Sequence, residues 1–240
     1  MLLIPAIDIK GGKCVRLLQG DPDRETVYSD DPAAMARRFE SLGARLIHVV
    51  DLDGAFEGRP VNAAIVRKIA GAVSVPIEIG GGIRDEKAVE EYLEAGIKRI
   101  ILGTAVLGDK KEALISRFAP NLIMGVDARN SMVATHGWKQ VTGVRAVDFI
   151  RELASLGLKE VIYTDISTDG MLTGPNYGAF ETLLKEVPGL NLIASGGVSV
   201  MEDLERLSEL ASGALKGCIV GKAIYDGRID LEKALARFNS

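Results

Sequence analysis

The same turn occurs twice in this chain. "IEIGGGIRD" at 77–85 runs from apolar residues through three glycines to an aspartate suited to starting a helix. "LIASGGVSV" at 192–200 repeats that grammar, with Gly196 standing 115 positions after Gly81. Other marks keep nearly the same spacing: Asp8 maps to Asp127, Asp51 to Asp165 and Gly103 to Gly221, and "EGRPVN" at 57–62 is echoed by "TGPN" at 173–176. A smaller unit lies within each copy. "FESLGARLIHVVD", "YLEAGIKRIILGT" and "RELASLGLKEVIYTD" each combine an amphipathic stretch, a glycine, a short turn and an apolar run rich in β-branched residues. This is the pattern of a helix, its left-handed cap and a buried strand. Repeats at two scales confine the fold to architectures made by copying a βα unit.

Continuous apolar runs are what parallel strands buried on both faces require. They place strands near 2–8, 45–51, 75–80, 98–103, 121–127, 159–165, 190–195 and 216–221. Helical periodicity follows each one, over 32–42, 61–72, 86–95, 110–118, 146–156, 177–187, 200–212 and 230–238. Asp31-Pro32 offers an N-cap and a first-turn proline, and Asp85 caps the third helix. Gly43, Gly96, Gly157 and Gly213 stand just past helix ends. Eight βα units in 240 residues predict one closed (β/α)8 barrel, a fold of ~250 residues. That α/β TIM barrel forms a single domain over 1–240, built from duplicated half-barrels of about 1–120 and 121–240. A doubly wound open sheet is the alternative, and the duplication disfavours it.

Composition excludes several function classes. With 47% hydrophobic and only 5% aromatic residues, the core is aliphatic. The net charge of −4 argues against a general nucleic-acid surface. The start "MLLIPAIDIKGG" lacks the basic leader and apolar length of a signal peptide, and no run approaches a membrane span. Cys14 and Cys218 have no metal or redox spacing and are expected to be reduced thiols in the cytoplasm. The two histidines, His48 and His136, lack metal-ligand spacing, so no metal is expected. No dinucleotide or P-loop motif occurs, so dinucleotide and nucleoside triphosphate binding are not expected.

In such barrels chemistry sits where the strands end at their C-terminal face. Asp8 ends the first predicted strand and Asp127 the fifth, so duplication sets two carboxylates opposite each other. That arrangement suits acid–base catalysis, although a lone aspartate in such a place is more often a turn cap. Gly81, Gly82, Gly103 and Thr104 end the third and fourth strands. Gly196, Gly197, Gly221 and Lys222 end the seventh and eighth, a frequent phosphate site in this fold. Turns without side chains let backbone N–H groups approach an anion at a helix start. Two matched sets predict a substrate with a phosphate at each end; tight βα turns are the plainer explanation. Strand parity turns Thr164 and His48 into the upper barrel, where His48 serves equally well as a substrate contact or a satisfied core histidine. Arg16 and Arg84 lie in predicted loops and suit bidentate phosphate binding, or are surface charges. Trp138, within a predicted β excursion after the fifth strand, is placed to stack on a planar ring or to anchor its loop.

The segments "PAIDIKGGKCVRLLQGD", "HVVDLDGA", "EIGGGIR", "VDARNSMVATHGW", "YTDISTDGMLTGPN", "ASGGVS" and "GCIVGKAIYDG" together resemble the phosphoribosyl isomerases of histidine biosynthesis, the ProFAR isomerase family. The resemblance spans essentially the whole chain. The sister family, the cyclase subunit of imidazole glycerol phosphate synthase, usually opens with Cys-Leu-Asp where this chain has Ala6-Ile7-Asp8. The resemblance implies an Amadori rearrangement of an aminoaldose to an aminoketose on a substrate carrying two ribose phosphates. It implies that Asp8 is the base at C2′, that Asp127 is the acid at the furanose oxygen, and that Thr164 assists by hydrogen bonding. Asp169, in "STDGM", orders its loop or touches substrate. No cofactor, metal, nucleic acid, membrane or obligate protein partner is implied. The alternatives are an isomerase that also accepts phosphoribosyl anthranilate, a cyclase working with a glutaminase, a Schiff-base aldolase using Lys222, and a non-catalytic phosphosugar-binding module.

Overall fold

In the computed structural model the described residues are 1–103, 110–135, 137–210 and 215–239. Thr104, His136 and Gly213 lie outside them. The strands are β1 (Leu2–Lys10), β2 (Lys13–Leu18), β3 (Asp21–Ser29), β4 (Ile47–Asp51), β5 (Ile77–Gly80), β6 (Arg99–Leu102), β7 (Leu122–Arg129), β8 (Met132–Thr135), β9 (Gln140–Arg145), β10 (Glu160–Asp165), β11 (Asn191–Ser195) and β12 (Leu215–Val220). The helices are α1 (Pro32–Ser41), α2 (Leu52–Glu57), α3 (Ala63–Ala72), α4 (Glu86–Glu94), α5 (Lys110–Phe118), α6 (Ala146–Ser155), α7 (Tyr177–Glu186), α8 (Met201–Leu210), α9 (Lys222–Tyr225) and α10 (Leu231–Phe238).

Eight strands pair in parallel in the order β1-β4-β5-β6-β7-β10-β11-β12, and β12 pairs with β1 to close the ring. The expected (β/α)8 barrel is therefore the fold. Two apolar layers hold it. Inside the barrel Ile4, Leu46, Ile101, Ile123, Ile162, Ile193 and Ile219 meet one another. Outside, the opposite faces of the strands pack on the helices through residues such as Leu3, Ile7, Val49, Ile79, Ile150 and Leu204. Strands with both faces covered are why the sequence shows continuous apolar runs rather than alternation. The expected caps form. Asp31 accepts hydrogen bonds from the Ala33 and Ala34 N–H groups, Asp85 accepts from Ala88 N–H, and Gly43, Gly96 and Gly157 have φ of +101°, +83° and +98°.

One expectation is corrected. Arg16, read as a loop residue, lies on β2, which pairs antiparallel with β1 and with β3. β1 and β7 each continue two residues past Asp8 and Asp127 and turn back, giving the meanders β1-β2-β3 and β7-β8-β9 above the barrel. The first and fifth barrel strands thus lead into the same kind of antiparallel excursion. The charged run "DPDRETVYS" conceals β3 because it is held by ladder hydrogen bonds and mostly faces water.

Candidate active site

A cavity of about 310 Å³ opens at the C-terminal ends of the barrel strands. Every described residue proposed from the sequence as catalytic or substrate-binding lines it, from Asp8 and Arg16 on the first meander to Gly221 and Lys222 after β12. Chain order had scattered these residues, and the closed ring brings them together. The sequence had not drawn attention to the apolar wall, which includes Leu52, Phe56 and Leu172, or to Ser195 at the end of β11. Ser195 sits one residue before the Gly196-Gly197 turn, as Gly80 does before Gly81-Gly82. That correspondence was the available signal.

The two aspartates have different surroundings. Asp8 Oδ2 accepts from Arg16 Nη1 at 2.7 Å, both side chains being 14% exposed. Arg16 Nη2 also donates to the Ala6 carbonyl, and its guanidinium stands 5.3 Å from the centre of the Tyr225 ring. Among the described residues no such cation acts on Asp127. Burial raises its carboxyl above the ordinary range, and hydrogen bonds from the Trp138 indole and the Thr164 hydroxyl only partly oppose this. Thr164 reaches Asp127 because the two are register partners across β10 and β7. Trp138 comes from the loop between β8 and β9, and its ring fills the space over Gly20. Asp169, after β10, is pushed up to about 6, first by burial and then by the charges of Asp8 and Asp127, with Arg16 opposing. Burial thus raises both Asp127 and Asp169, while the Arg16 guanidinium lies directly against Asp8.

The duplicated glycines have a packing cause as well as a chemical one. A Cβ on Gly81 (φ +102°) would lie 2.1 Å from the Asp51 carbonyl oxygen, and one on Gly196 (φ +92°) would lie 2.8 Å from that of Asp165. Each turn therefore nests against the backbone at the end of the preceding barrel strand. Asp51 and Asp165 hold those segments in place. Asp51 accepts from the N–H groups of Gly54, Val61 and Asn62 and from the Asn62 side chain. Asp165 accepts from Ser167 N–H and from the Asn176 side chain. The "RPVN" and "TGPN" echoes thus end in asparagines that do the same work. Gly103 faces open space, while Gly221 lies directly under the Arg16 guanidinium. Lys222 Nζ is 3.4 Å from the Gly170 carbonyl oxygen, and the Arg84 guanidinium covers Gly58 at the cavity edge. His48 meets Glu78 through Nδ1 at 2.8 Å.

Residues 2–230 match the histidine biosynthesis protein family. The chain belongs to that family. It is 48% identical over 238 residues to 1-(5-phosphoribosyl)-5-((5-phosphoribosylamino)methylideneamino)imidazole-4-carboxamide isomerase of Brevibacillus brevis, a match covering 98% of this chain and 95% of the relative. The isomerase of the same name from Geobacter sulfurreducens is 47% identical, with 98% and 97% covered. That of Burkholderia mallei is 46% identical over 241 residues, with 99% and 96% covered. Among this chain's described residues no helix is long and apolar enough to cross a membrane.

Proposed function

We propose that this chain is an aldose–ketose isomerase that carries out the Amadori rearrangement of ProFAR to PRFAR in histidine biosynthesis, by acid–base catalysis with its own side chains. The observation that carries the reading is one cavity holding Asp8 and Asp127 on corresponding strands of the two half-barrels, flanked by two matched glycine turns. Relatives 46–48% identical over nearly their whole length, all named as this isomerase, support the substrate.

The chemistry divides between the carboxyl groups. A protonated carboxyl gives its proton to the furanose oxygen as the C1′–O bond breaks, which leaves a C1′ iminium. Asp8 removes the proton from C2′, and the electron pair neutralises the iminium to give an enolamine. The enol O–H then yields its proton and C1′ takes one up, completing the aminoketose. Asp127 and Asp169 both suit the acid role, because burial raises both. Asp8 suits the base role once Arg16 releases it. A substrate phosphate over Gly221 competes for the same guanidinium, so binding frees the base. Acid–base catalysis at each centre contributes about 10²–10⁴-fold, and holding both phosphates adds orientation.

The reading includes a cytoplasmic location, which suits the two buried free cysteines, and needs no protein partner, since acid and base come from the same chain. The test is a coupled spectroscopic assay with ProFAR. Turnover by the wild type, lost by orders of magnitude in Asp8→Asn and Asp127→Asn that still bind product, supports it. Folded wild type that does not turn ProFAR over rejects it.

A further inference from the structure

The inside of this barrel is not uniformly apolar. On one side of it Glu78, whose side chain is completely buried, holds His48 Nδ1 with Oε1 at 2.8 Å. Its other oxygen, Oε2, accepts from Arg99 Nε and Nη2 at 3.1 and 2.9 Å. Arg99 continues to Glu160, and these two line a second cavity that does not include His48 or Glu78. His48 lines the first. Four charged or ionisable side chains therefore connect the catalytic cavity to a separate cavity.

The fold itself does not need this column. His48 and Glu78 are register partners across β4 and β5. Spacings of 114 from Asp51 to Asp165 and 115 from Gly81 to Gly196 map them onto Ile162 and Ile193 in the second half, and those two are register partners across β10 and β11. Ile162 and Ile193 are buried in the interior apolar layer. One half-barrel thus fills these two positions with isoleucines and the other with an imidazole and a carboxylate. Burying an ion where an aliphatic side chain serves is costly unless it does something else.

From this geometry we infer that Glu78 is a positioning residue that acts through His48. The carboxylate accepts the proton on Nδ1, which leaves Nε2 as the edge of the ring available to the cavity and locks the ring plane. Arg99 anchors the carboxylate from the far side. Burial pushes Glu78 up, but the hydrogen bonds and charges of His48 and Arg99 outweigh it and hold the group below its ordinary value, so it is an acceptor. The role at the substrate rests on the isomerase reading; the ring geometry does not.

The first test is a nitrogen-15 spectrum of the histidine-labelled full chain. The chain has two histidines, and His48→Ile removes one set of signals and so assigns the other. The wild type is expected to carry a proton on His48 Nδ1, and Glu78→Ile to move it to Nε2, the usual site in water. An unprotonated Nδ1 in the wild type, or a ring unchanged in Glu78→Ile, overturns the inference. The second test is a mutant cycle on ProFAR turnover. Glu78→Ile is expected to lower kcat/KM by about 10–100-fold in the wild type, and by less than about threefold in a His48→Ile background. The double variant repeats the Ile162–Ile193 pair and is expected to fold, as its thermal midpoint will show. An equal loss in both backgrounds means that Glu78 only supports the fold, and no loss in either means that the ring needs no holding; both outcomes overturn the inference. If the wild type does not turn over ProFAR, the isomerase reading fails and the ring spectrum still decides the role of Glu78.

Discussion

Arg16 reaches Asp8 across the space where Gly221 has no side chain. Its Nη1 lies 2.7 Å from Asp8 Oδ2, and a Cβ on Gly221 would sit 2.4 Å from its guanidinium carbon. The first meander and the end of the last barrel strand therefore meet over the proposed base. Gly221→Ala is expected to push the guanidinium aside and lower kcat/KM at least about tenfold, mainly through KM, which corresponds to roughly 1.4 kcal/mol. The added methyl meets the mobile end of a side chain, so the thermal midpoint should stay near that of the wild type. Steady-state kinetics beside a melting curve check both parts.

Asp8→Asn and Asp127→Asn keep the side-chain shapes and remove the titratable carboxyl groups. Each is expected to lower kcat by about 10²–10⁴-fold. Product affinity, measured by calorimetry, should change little. Loss of binding in step with kcat would mean that these groups hold the substrate rather than move its protons.

Asp169 gives a pH dependence whose sign can be worked out. Its carboxyl rises from 3.8 to about 6 on folding. The folded chain therefore keeps this proton to higher pH than the unfolded chain. The stability linked to this group is present below about pH 4 and is lost as pH rises through about 6. Asp169→Asn should match the wild type in thermal midpoint at acid pH and exceed it above pH 6. If Asp169 is the acid, the kcat/KM of the wild type falls above about pH 6 and Asp169→Asn removes that limb. If Asp127 is the acid, the limb survives the substitution.

Gly81→Ala and Gly196→Ala test the nesting of the turns. Both positions have positive φ, but the new methyl would be 2.1 Å from a carbonyl oxygen at Gly81 and 2.8 Å from one at Gly196. Both variants should lose stability, by about 1 kcal/mol or more from backbone strain alone. Gly81→Ala should lose more, because its clash is with backbone at the shorter distance. Urea denaturation of the two variants gives the order, and the reverse order would show that the turns do not pack as described.

Much of the architecture was legible because it was written twice. Strand β10 carries the consecutive apolar residues Val161, Ile162 and Tyr163 since helices cover one of its faces and the barrel interior the other. Helix α4 was announced by Asp85 and ended by Gly96. Strand β2 was hidden because its partner is the overhang of β1, and nothing in "KCVRLL" indicates that β1 continues past Asp8. The cavity residues were found by position, at the ends of predicted strands, and the closed ring made neighbours of residues as far apart as Asp8 and Lys222.

What the sequence determined by itself is the fold and the places where chemistry can stand, since periodicity, caps and repeat spacing are local properties that survive without coordinates. What only the tertiary structure decided is how those groups affect one another. Strand pairing sets Arg16 against Asp8 and joins His48 to Glu78 inside the barrel, and the assembled fold buries Asp127 and Asp169 enough to raise their carboxyl groups. Charge interactions and desolvation depend on separations of a few ångströms across the fold, and no spacing along a chain encodes those distances.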